Sequence, residues 1–501
     1  MEMTGSGKET PGASDGATCP GPAGPAGPGT RPETRIVRPA TLPVRYACAA
    51  FLLIASACLL IYSNTLHSPF FFDDKLYILD NPGIRSLGNF LDFSGTRYVA
   101  FLSFAVNYAV GGYEPFGYHI VNVAVHVING LLVWWLVLLT FGTPAVERAA
   151  ADPRLKYFAA LAAAVIFVSH PVQTQAVTYI TQRFATLATL FYLLSLTLFI
   201  KWRLSPELKG RTVLYLLSLL SVVLAMKTKE ISFTLPVMIV LYEVMFFDSF
   251  FSGHERRPRT RFLPLVPFLL TMAIIPLNIF GPELGIDEGG SGIAEEARRL
   301  DVMRLTTLSR HDYVITQVRV IATYVRLLFL PVNQNFDYDY PVYTSPFEPA
   351  VFLSFLFLFF LFTFAFYLFL RSRKTNNGYG LLASFGILWF FITLSVESGA
   401  VVLWNVIFEH RLYLPSVGVV LALSAGVFYV FDYLKPMNLM AAAVVLLLVT
   451  ALPLSYASYR RNGVWKDSVT LWTDVVGKSP DKARGHNNLG RAYQLAGRSD
   501  D

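Results

Sequence analysis

Charged residues are scarce in this chain of 501 residues. Asp, Glu, Lys and Arg make up 15% of it, whereas about 25% is usual for a soluble domain. Hydrophobic residues account for 54%, and they are concentrated in long uncharged runs such as 46–63 and 351–370. A membrane core of about 30 Å is crossed by about 20 helical residues, so these runs predict membrane-spanning helices. Because the runs are continuous and do not alternate, a transmembrane β-barrel is excluded.

Cysteine is also rare, and glycosylation sequons are missing. Cys19 lies in a polar N-terminal segment, and Cys48 and Cys58 lie in the first apolar run, so they offer no extracytoplasmic disulfide framework. No Asn-x-Ser/Thr sequence occurs in the chain. We therefore expect a multi-pass integral membrane protein, and we favour the bacterial inner membrane over the endoplasmic reticulum.

The apolar runs divide the chain into three parts. Residues 1–44 are rich in proline and glycine and predict a disordered cytoplasmic tail. Residues 45–457 predict an all-α, polytopic membrane helical bundle with large external loops at 64–115 and 281–346. Residues 458–501 predict an extracytoplasmic helical segment. The eleven predicted spans cover approximately 46–63, 116–141, 157–169, 184–200, 212–226, 231–247, 262–280, 347–370, 379–395, 412–431 and 437–456.

Lysine and arginine predict the orientation of the bundle. With the N-terminus in the cytoplasm, the segments assigned to that side carry about twice the Lys and Arg density of the opposite loops. Much of the net charge of +7 therefore comes from Lys and Arg that orient the helices in the membrane, so no nucleic-acid partner is needed to explain it. Residues 313–330 carry Arg319 and Arg326 on one helical face, so they predict an amphipathic helix at the membrane surface.

The C-terminal segment contains a pattern typical of helical repeats. Residues 468–497 combine an amphipathic stretch, a break at Pro480 and the sequence Asn-Leu-Gly at 488–490. This resembles the start of a tetratricopeptide repeat, in which small and aromatic positions pack one helix against the next. About one repeat cannot bury its own apolar face. We expect it to dock on the membrane domain or on a partner, or to belong to a longer repeat array.

Unusual ionisable residues fall on one side of the predicted topology. A charge within hydrocarbon costs at least about 2.5 to 3.5 kcal/mol, so charges at the ends of spans normally face protein or water and are often functional. The residues in question are Asp73, Asp74, His170, Arg183, Lys227, Lys229, Glu230, Glu397, Glu409, His410 and Arg411.

The adjacent carboxylates of Asp73 and Asp74 follow three phenylalanines in the first external loop. A helix N-cap or a solvated loop would account for them. Alternatively, two adjacent carboxylates in a half-buried site do not ionise freely together, so the pKa of one rises. That group is then suited to act as a general base or to hold an acceptor hydroxyl.

The basic residues also have two interpretations. Lys229, Glu230 and Arg183 are explained either by snorkelling and structural ion pairs or by a functional role. His119 and His126 lie on one face of the second span, where core packing is favoured over metal binding.

The sequence Glu409-His410-Arg411 lies between apolar walls on the external side, where three ionisable residues have no topological use. Arginine offers a bidentate fork and histidine a donor that responds to pH. The sequence therefore favours a phosphate-binding site.

These motifs occur in a fixed order over nearly the whole chain after residue 60. In order they are FFDD, NYAVGGYEPFGYHIVNVAVH, HPVQTQAVTYITQR, KTKEISFTLP, NFDYDYP, FEHRLYLPSVG and LWTDVVGKSPDKARGHNNLG. The set resembles the transmembrane and tetratricopeptide-repeat O-mannosyltransferases, and a bacterial member is favoured. The resemblance implies the C-type glycosyltransferase fold and a polyprenyl-phosphate sugar donor. It places the acidic motif at Asp73 and Asp74 and the basic motif at Glu409, His410 and Arg411.

The chain departs from this family after the first loop. Where the family has Arg-Pro-Leu, this chain has Arg97-Tyr98-Val99. Arg97 and His170 are further candidates for the site.

The resulting hypothesis is displacement at the anomeric carbon of a polyprenyl-phosphate hexose, mannose by resemblance. Asp73 takes the proton of an acceptor hydroxyl on a protein or glycan, and Asp74 positions Asp73. The residues assigned to the donor phosphate are Arg411, His410, Arg183 and Lys229, with Glu409 and Glu230 beside them. No cofactor is expected, and a divalent ion on the Asp pair is not favoured. The alternatives are a lipid-carrier flippase or transporter and a non-catalytic repeat-bearing membrane platform.

Overall fold

The computed structural model of the chain describes residues 44–93, 95–147, 153–206, 208–247, 262–280, 308–400, 402–403, 405–434 and 438–497. Nearly all of the predicted tail and the first part of the second external loop, 281–307, lie outside the described residues. The described residues form helices and turns without a β-strand, so the predicted all-α class is confirmed.

Helices of very different lengths follow one another along the chain. They are α1 Val44–Tyr62, α2 Tyr98–Gly111, α3 Pro115–Phe141, α4 Pro153–Ser169, α5 Gln173–Thr178, α6 Arg183–Leu204, α7 Leu208–Met226, α8 Leu235–Tyr242, α9 Val266–Leu270, α10 Ile274–Phe280, α11 Arg310–Phe329, α12 Pro349–Thr375, α13 Gly378–Ser395, α14 Tyr413–Leu434, α15 Leu439–Asn462, α16 Ser468–Lys478 and α17 Ala483–Leu495. Short 3₁₀ and π turns join several of them.

Within the described residues, eight helical stretches are long and apolar enough to cross a membrane. The chain is therefore a multi-pass integral membrane protein, and these stretches coincide with eight of the predicted spans. The other three predicted spans form shorter helices, so the total of eleven stays a prediction. One of them, 262–280, is interrupted because Pro264, Pro267 and Pro276 lack the N–H that continues a helical ladder.

α13 and α14 approach each other closely. Gly386 of α13 and Gly418 of α14 face each other, and a Cβ atom on either glycine would overlap the carbonyl oxygen of the other. Small residues of this kind allow backbones in a membrane to touch and gain close packing. The contact fixes the end of α13 relative to the start of α14, and both ends carry predicted site residues.

The segment predicted as an amphipathic surface helix is helical, as α11. Ser309 caps it by accepting a hydrogen bond from the backbone N–H of Asp312 at 3.1 Å. One face buries Tyr313, Val320 and Tyr324 against neighbouring elements. Its location at the membrane surface stays a prediction.

The predicted site residues lie on or beside turns that are not α-helical. The acidic pair precedes a π turn at Lys75–Leu79, and Glu397 lies within a second π turn at Val396–Ala400. Three 3₁₀ turns, Ile180–Gln182, Glu230–Thr234 and Glu409–Leu412, begin other membrane helices. Such local departures from the α-helix are frequent at functional sites.

The C-terminal segment folds as a helical hairpin that docks on the membrane domain. Asp467 caps α16 through the backbone N–H of Thr470 at 2.8 Å. Leu471, Trp472 and Val475 of α16 are buried together with Phe71 of the first loop. Docking supplies the apolar cover that a single hairpin lacks. Its relation to tetratricopeptide repeats stays a prediction.

Candidate functional site

The carboxylate of Asp74 is fully buried and fixed by the backbone. One oxygen accepts the N–H of Phe71 at 2.9 Å, and the other accepts the N–H of Thr181 at 2.8 Å. Burial raises the pKa of Asp74 to about 7, although the two backbone hydrogen bonds oppose the rise. Asp74 therefore ties the first loop to the turn that begins α6.

Asp73 lies in a different environment from its neighbour. Its side chain is partly exposed, while its backbone N–H donates to the hydroxyl of Tyr179 at 2.7 Å. The ring of Tyr179 stacks on Trp465 with centroids 5.7 Å apart. The backbone of Asp73 is thus anchored, while the residue is less buried than its neighbour Asp74.

Arg97 begins α2 in a left-handed conformation, with φ of 56°, which is uncommon for a residue other than glycine. Its guanidinium pairs with Glu230, with Nε and Oε1 3.0 Å apart. It also donates to the hydroxyl of Tyr77 at 3.3 Å, within the π turn that follows the acidic pair. Arg97 therefore connects the acidic turn to the 3₁₀ turn that precedes α8.

Lys229, the neighbour of Glu230, forms an ion pair with a carboxylate on a different element. The Nζ atom of Lys229 lies 2.7 Å from Oε1 of Glu397, on the π turn after α13. The hydroxyl of Tyr313 donates to the backbone carbonyl of Glu397. The Lys229-Glu230 dipeptide thus links the first loop to the end of α13.

Glu409 holds a segment of the second external loop. Its Oε1 accepts the backbone N–H of Asn335 at 2.8 Å and the hydroxyl of Tyr338 at 2.6 Å, and its Oε2 accepts the amide of Gln334 at 2.6 Å. All three donors are neutral. The structure therefore places Glu409 as an anchor for residues 334–338.

Arg411 and His410 lie beside this anchor and are both buried. Arg411 donates to the carbonyl oxygens of Val406 at 3.0 Å and Asn405 at 2.7 Å. The backbone N–H of His410 donates to the side chain of Gln175 at 2.8 Å. These hydrogen bonds fix the turn that contains His410 and Arg411, directly before α14.

Arg183 is fully buried and surrounded by neutral acceptors. It donates to the Asn122 side chain at 2.7 Å, the Asn107 side chain at 2.5 Å and the Tyr118 carbonyl at 2.9 Å. The Asn122 amide in turn donates to the carbonyl of Ile180 at 3.3 Å, beside the turn that holds Asp74. The predicted phosphate ligand thus occupies a position that braces the start of α6.

His170 joins the end of α4 to the last turn of α11. Its Nδ1 accepts the N–H of Val172 at 3.2 Å, so Nε2 carries the proton and donates to the carbonyl of Leu328 at 3.0 Å. Burial lowers the pKa of His170 to about 4, and the ring is neutral at physiological pH. The structure gives His170 a bracing position.

Sequence reasoning missed the residue at the centre of the site. Phe336 is buried, and its ring contacts those of Phe72, Tyr179, Trp465 and Trp472 at centroid distances of 5.9, 5.5, 5.3 and 5.6 Å. The motif NFDYDYP contains it, but one aromatic residue among 41 phenylalanines carries no local signal of this role.

Comparisons with known proteins complete the description. No family model matches the chain. A protein O-mannosyl-transferase of Caenorhabditis elegans is 25% identical over 88% of this chain and 59% of its own length. Tmtc1 of Drosophila melanogaster is 33% identical over 34% of this chain and 20% of its own length, and human TMTC2 is 32% identical over 39% and 24%.

Its curated relatives are protein O-mannosyltransferases. The expected resemblance to the transmembrane and tetratricopeptide-repeat type is therefore confirmed, while a bacterial origin is not shown. The chain spans about three fifths of the worm relative and a quarter or less of the other two. An oligosaccharyltransferase structure from Archaeoglobus fulgidus aligns with a TM-score of 0.48 at 12% identity, over 88% of this chain and 57% of that one.

A cleft of about 460 Å³ opens beside the anchored segment. The cleft is lined by Lys482 and by residues from 308–312, 338–342 and 405–407. Asp73 and Asp74 are not among its lining residues. Among the described residues, no group of three or more His, Cys, Asp and Glu side chains is arranged to hold a metal ion. The metal-free site stays a prediction.

Proposed function

We propose that this chain transfers a hexose, mannose by resemblance, from a polyprenyl-phosphate donor to a hydroxyl group on the non-cytoplasmic side of the membrane. One observation carries the proposal: the adjacent carboxylates of Asp73 and Asp74 lie in unequal environments, one partly exposed and the other fully buried and held by two backbone N–H groups. Relatives named as protein O-mannosyltransferases support sugar transfer and favour a protein hydroxyl as acceptor.

The acidic pair supplies the base. The partly exposed Asp73 takes the proton of the acceptor hydroxyl, and that oxygen forms the new bond to the anomeric carbon of the sugar. The bond between this carbon and the phosphate oxygen breaks, and the polyprenyl phosphate leaves with its electron pair. Asp74 keeps the turn in place through Phe71 and Thr181, since a positioned base must lie within hydrogen-bond reach of its proton.

The basic groups stabilise the departing phosphate. Arg411 and Lys229 are the favoured ligands, with His410 beside them, because fixed cations aimed at developing negative charge lower the barrier. In the described state Lys229 pairs with Glu397, so a phosphate competes with that carboxylate for the ammonium. Arg183 is fully buried, and its Nε and both Nη atoms are bound by Asn122, Asn107 and Tyr118, so it is assigned to positioning.

Transfer from a labelled donor tests the proposal. Purified protein in sealed proteoliposomes is incubated with radiolabelled polyprenyl-phosphate mannose and hydroxyl-containing peptides, and label in peptide and in lipid of each leaflet is measured. Asp73→Asn is expected to slow transfer roughly 10²- to 10⁴-fold with unchanged donor affinity, because general-base loss costs that much. Asp80→Asn, an exposed carboxylate in the same loop, is the matched control.

Two results oppose the proposal. If folded Asp73→Asn and Asp74→Asn proteins both transfer at near-parental rates, the carboxylate mechanism is wrong. If the parental protein moves labelled donor between leaflets without forming labelled peptide, the chain is a lipid-carrier transporter.

A further inference from the structure

Residues 334–339 (Gln-Asn-Phe-Asp-Tyr-Asp) connect the acidic turn to the C-terminal hairpin, and we call them the bridging segment. On one side, Glu409 anchors the segment through three hydrogen bonds. On the other side, the Oγ of Ser479, in the turn of the hairpin, accepts the N–H of Asp339 at 2.9 Å and the amide of Asn335 at 2.8 Å. The segment is therefore fixed between the membrane domain and the hairpin.

The aromatic ring of the bridging segment braces the acidic turn. Phe336 contacts Phe72, which directly precedes Asp73, and Tyr179, whose hydroxyl accepts the backbone N–H of Asp73. Both contacts involve groups attached to the peptide unit between Phe72 and Asp73: the ring of Phe72 and the hydroxyl-bearing side chain bound to the N–H of Asp73. Because buried rings fit closely, a shift of Phe336 moves the backbone of Asp73.

Charges from the hairpin determine where the bridging segment lies. Asp337 is buried and paired with two hairpin residues: its Oδ2 accepts Nε of Arg484 at 2.6 Å, and its Oδ1 lies 2.7 Å from Nζ of Lys482. Lys478 donates to the backbone carbonyl of Gln334 at 2.7 Å. A buried carboxylate requires such partners, so the hairpin and the segment move together.

We propose that Asp337 and Arg484 are positioning residues for sugar transfer, and that the C-terminal hairpin sets the position of Asp73 through Phe336. This inference rests on the proposed function. The hairpin is then part of the catalytic unit, whatever it also binds. Since a misplacement of about 1 Å can reduce a rate roughly 100-fold, a neutralised Asp337 lowers turnover without touching the donor.

The test uses the full chain in nanodiscs. Asp337→Asn, Arg484→Gln and the double variant are compared in donor affinity, kcat and hydrogen exchange of the peptide covering 70–79. Each single change is expected to lower kcat roughly 10- to 100-fold, to leave donor affinity unchanged and to speed exchange in that peptide. The double variant is expected to lose less than the product of the two single effects, because both changes break the Asp337–Arg484 pair. Arg484→Lys keeps the charge but loses the two-point contact with Asp337, so it is expected to restore part of the rate.

Asp481→Asn is the matched control. Asp481 is an exposed carboxylate in the turn of the same hairpin. If Asp337→Asn and Arg484→Gln match this control in both kcat and exchange, the inference is overturned. If the parental protein transfers no sugar, the proposed function fails, and exchange at 70–79 still decides whether the hairpin positions the acidic turn. Arg484 is partly exposed, so its variants keep the test open should Asp337→Asn not fold.

Discussion

Asp74 makes the stability of this protein depend on pH in a direction opposite to that of most carboxylates. Its pKa rises from 3.8 to about 7 on burial, so the folded state binds a proton that the unfolded chain releases. The stabilisation from this proton is complete below pH 3.8 and is lost as the pH rises through 7. One pKa unit corresponds to about 1.4 kcal/mol, so about 2 to 3 kcal/mol is lost between pH 5 and pH 8.

Asp74→Asn removes this dependence. The amide keeps one acceptor for Phe71 or Thr181 and presents an NH₂ group to the other N–H, which costs about 1 to 3 kcal/mol at every pH. The variant is therefore less stable than the parent at pH 5, and the deficit shrinks or reverses by pH 8.

Denaturant titration in mixed micelles at pH 5, 6, 7 and 8 measures the effect. The difference in unfolding free energy between Asp74→Asn and the parent is expected to shift by about 2 to 3 kcal/mol in favour of the variant across this range. Asp80→Asn, exposed in the same loop, should show no comparable shift. Parallel curves for the parent and Asp74→Asn would refute the assignment of a buried, largely protonated carboxyl group.

Three further predictions concern the donor site and the topology. Arg411→Ala should weaken donor binding as well as turnover, measured by donor titration and initial rates, whereas Asp73→Asn should change turnover alone; equal donor affinity in both variants would remove Arg411 from the phosphate site. Transfer should persist after EDTA treatment, and its loss with recovery on adding Mg²⁺ or Mn²⁺ would establish a metal requirement. In a cysteine-free background, Asp481→Cys should react with an impermeant maleimide from the non-cytoplasmic side and Ser205→Cys only after permeabilisation; the reverse pattern would invert the topology.

The sequence predicted the helices well because their signal is local. An apolar run of about 20 residues has few stable states other than a membrane helix, and the described part of the chain contains eight helical stretches long and apolar enough to cross a membrane. The helix breaks within 262–280 were harder to predict, because its three prolines interrupt the backbone hydrogen bonds of the helix while the segment stays apolar. The ends of spans also predicted where ionisable groups would collect, because charge is costly in hydrocarbon.

The roles of individual site residues depend on contacts that a sequence pattern does not contain. Arg183 and Glu409 both suggested phosphate chemistry, but their neighbours come from α2 and α3 and from the bridging segment, far away in the chain. Phe336 and Asp337 became visible only through the hairpin, whose Arg484 lies 147 positions from its partner. Residue type therefore suggested candidates, and the contacts made by each side chain depend on parts of the chain that are distant in sequence.

The contact between Gly386 and Gly418 has a mechanical consequence. Because the two backbones touch, side chains at the contact cannot rearrange, and α13 and α14 move as one rigid unit. Glu397, just after α13, and Arg411, just before α14, therefore keep a constant spacing. Any rearrangement of the bundle must then occur between other helices.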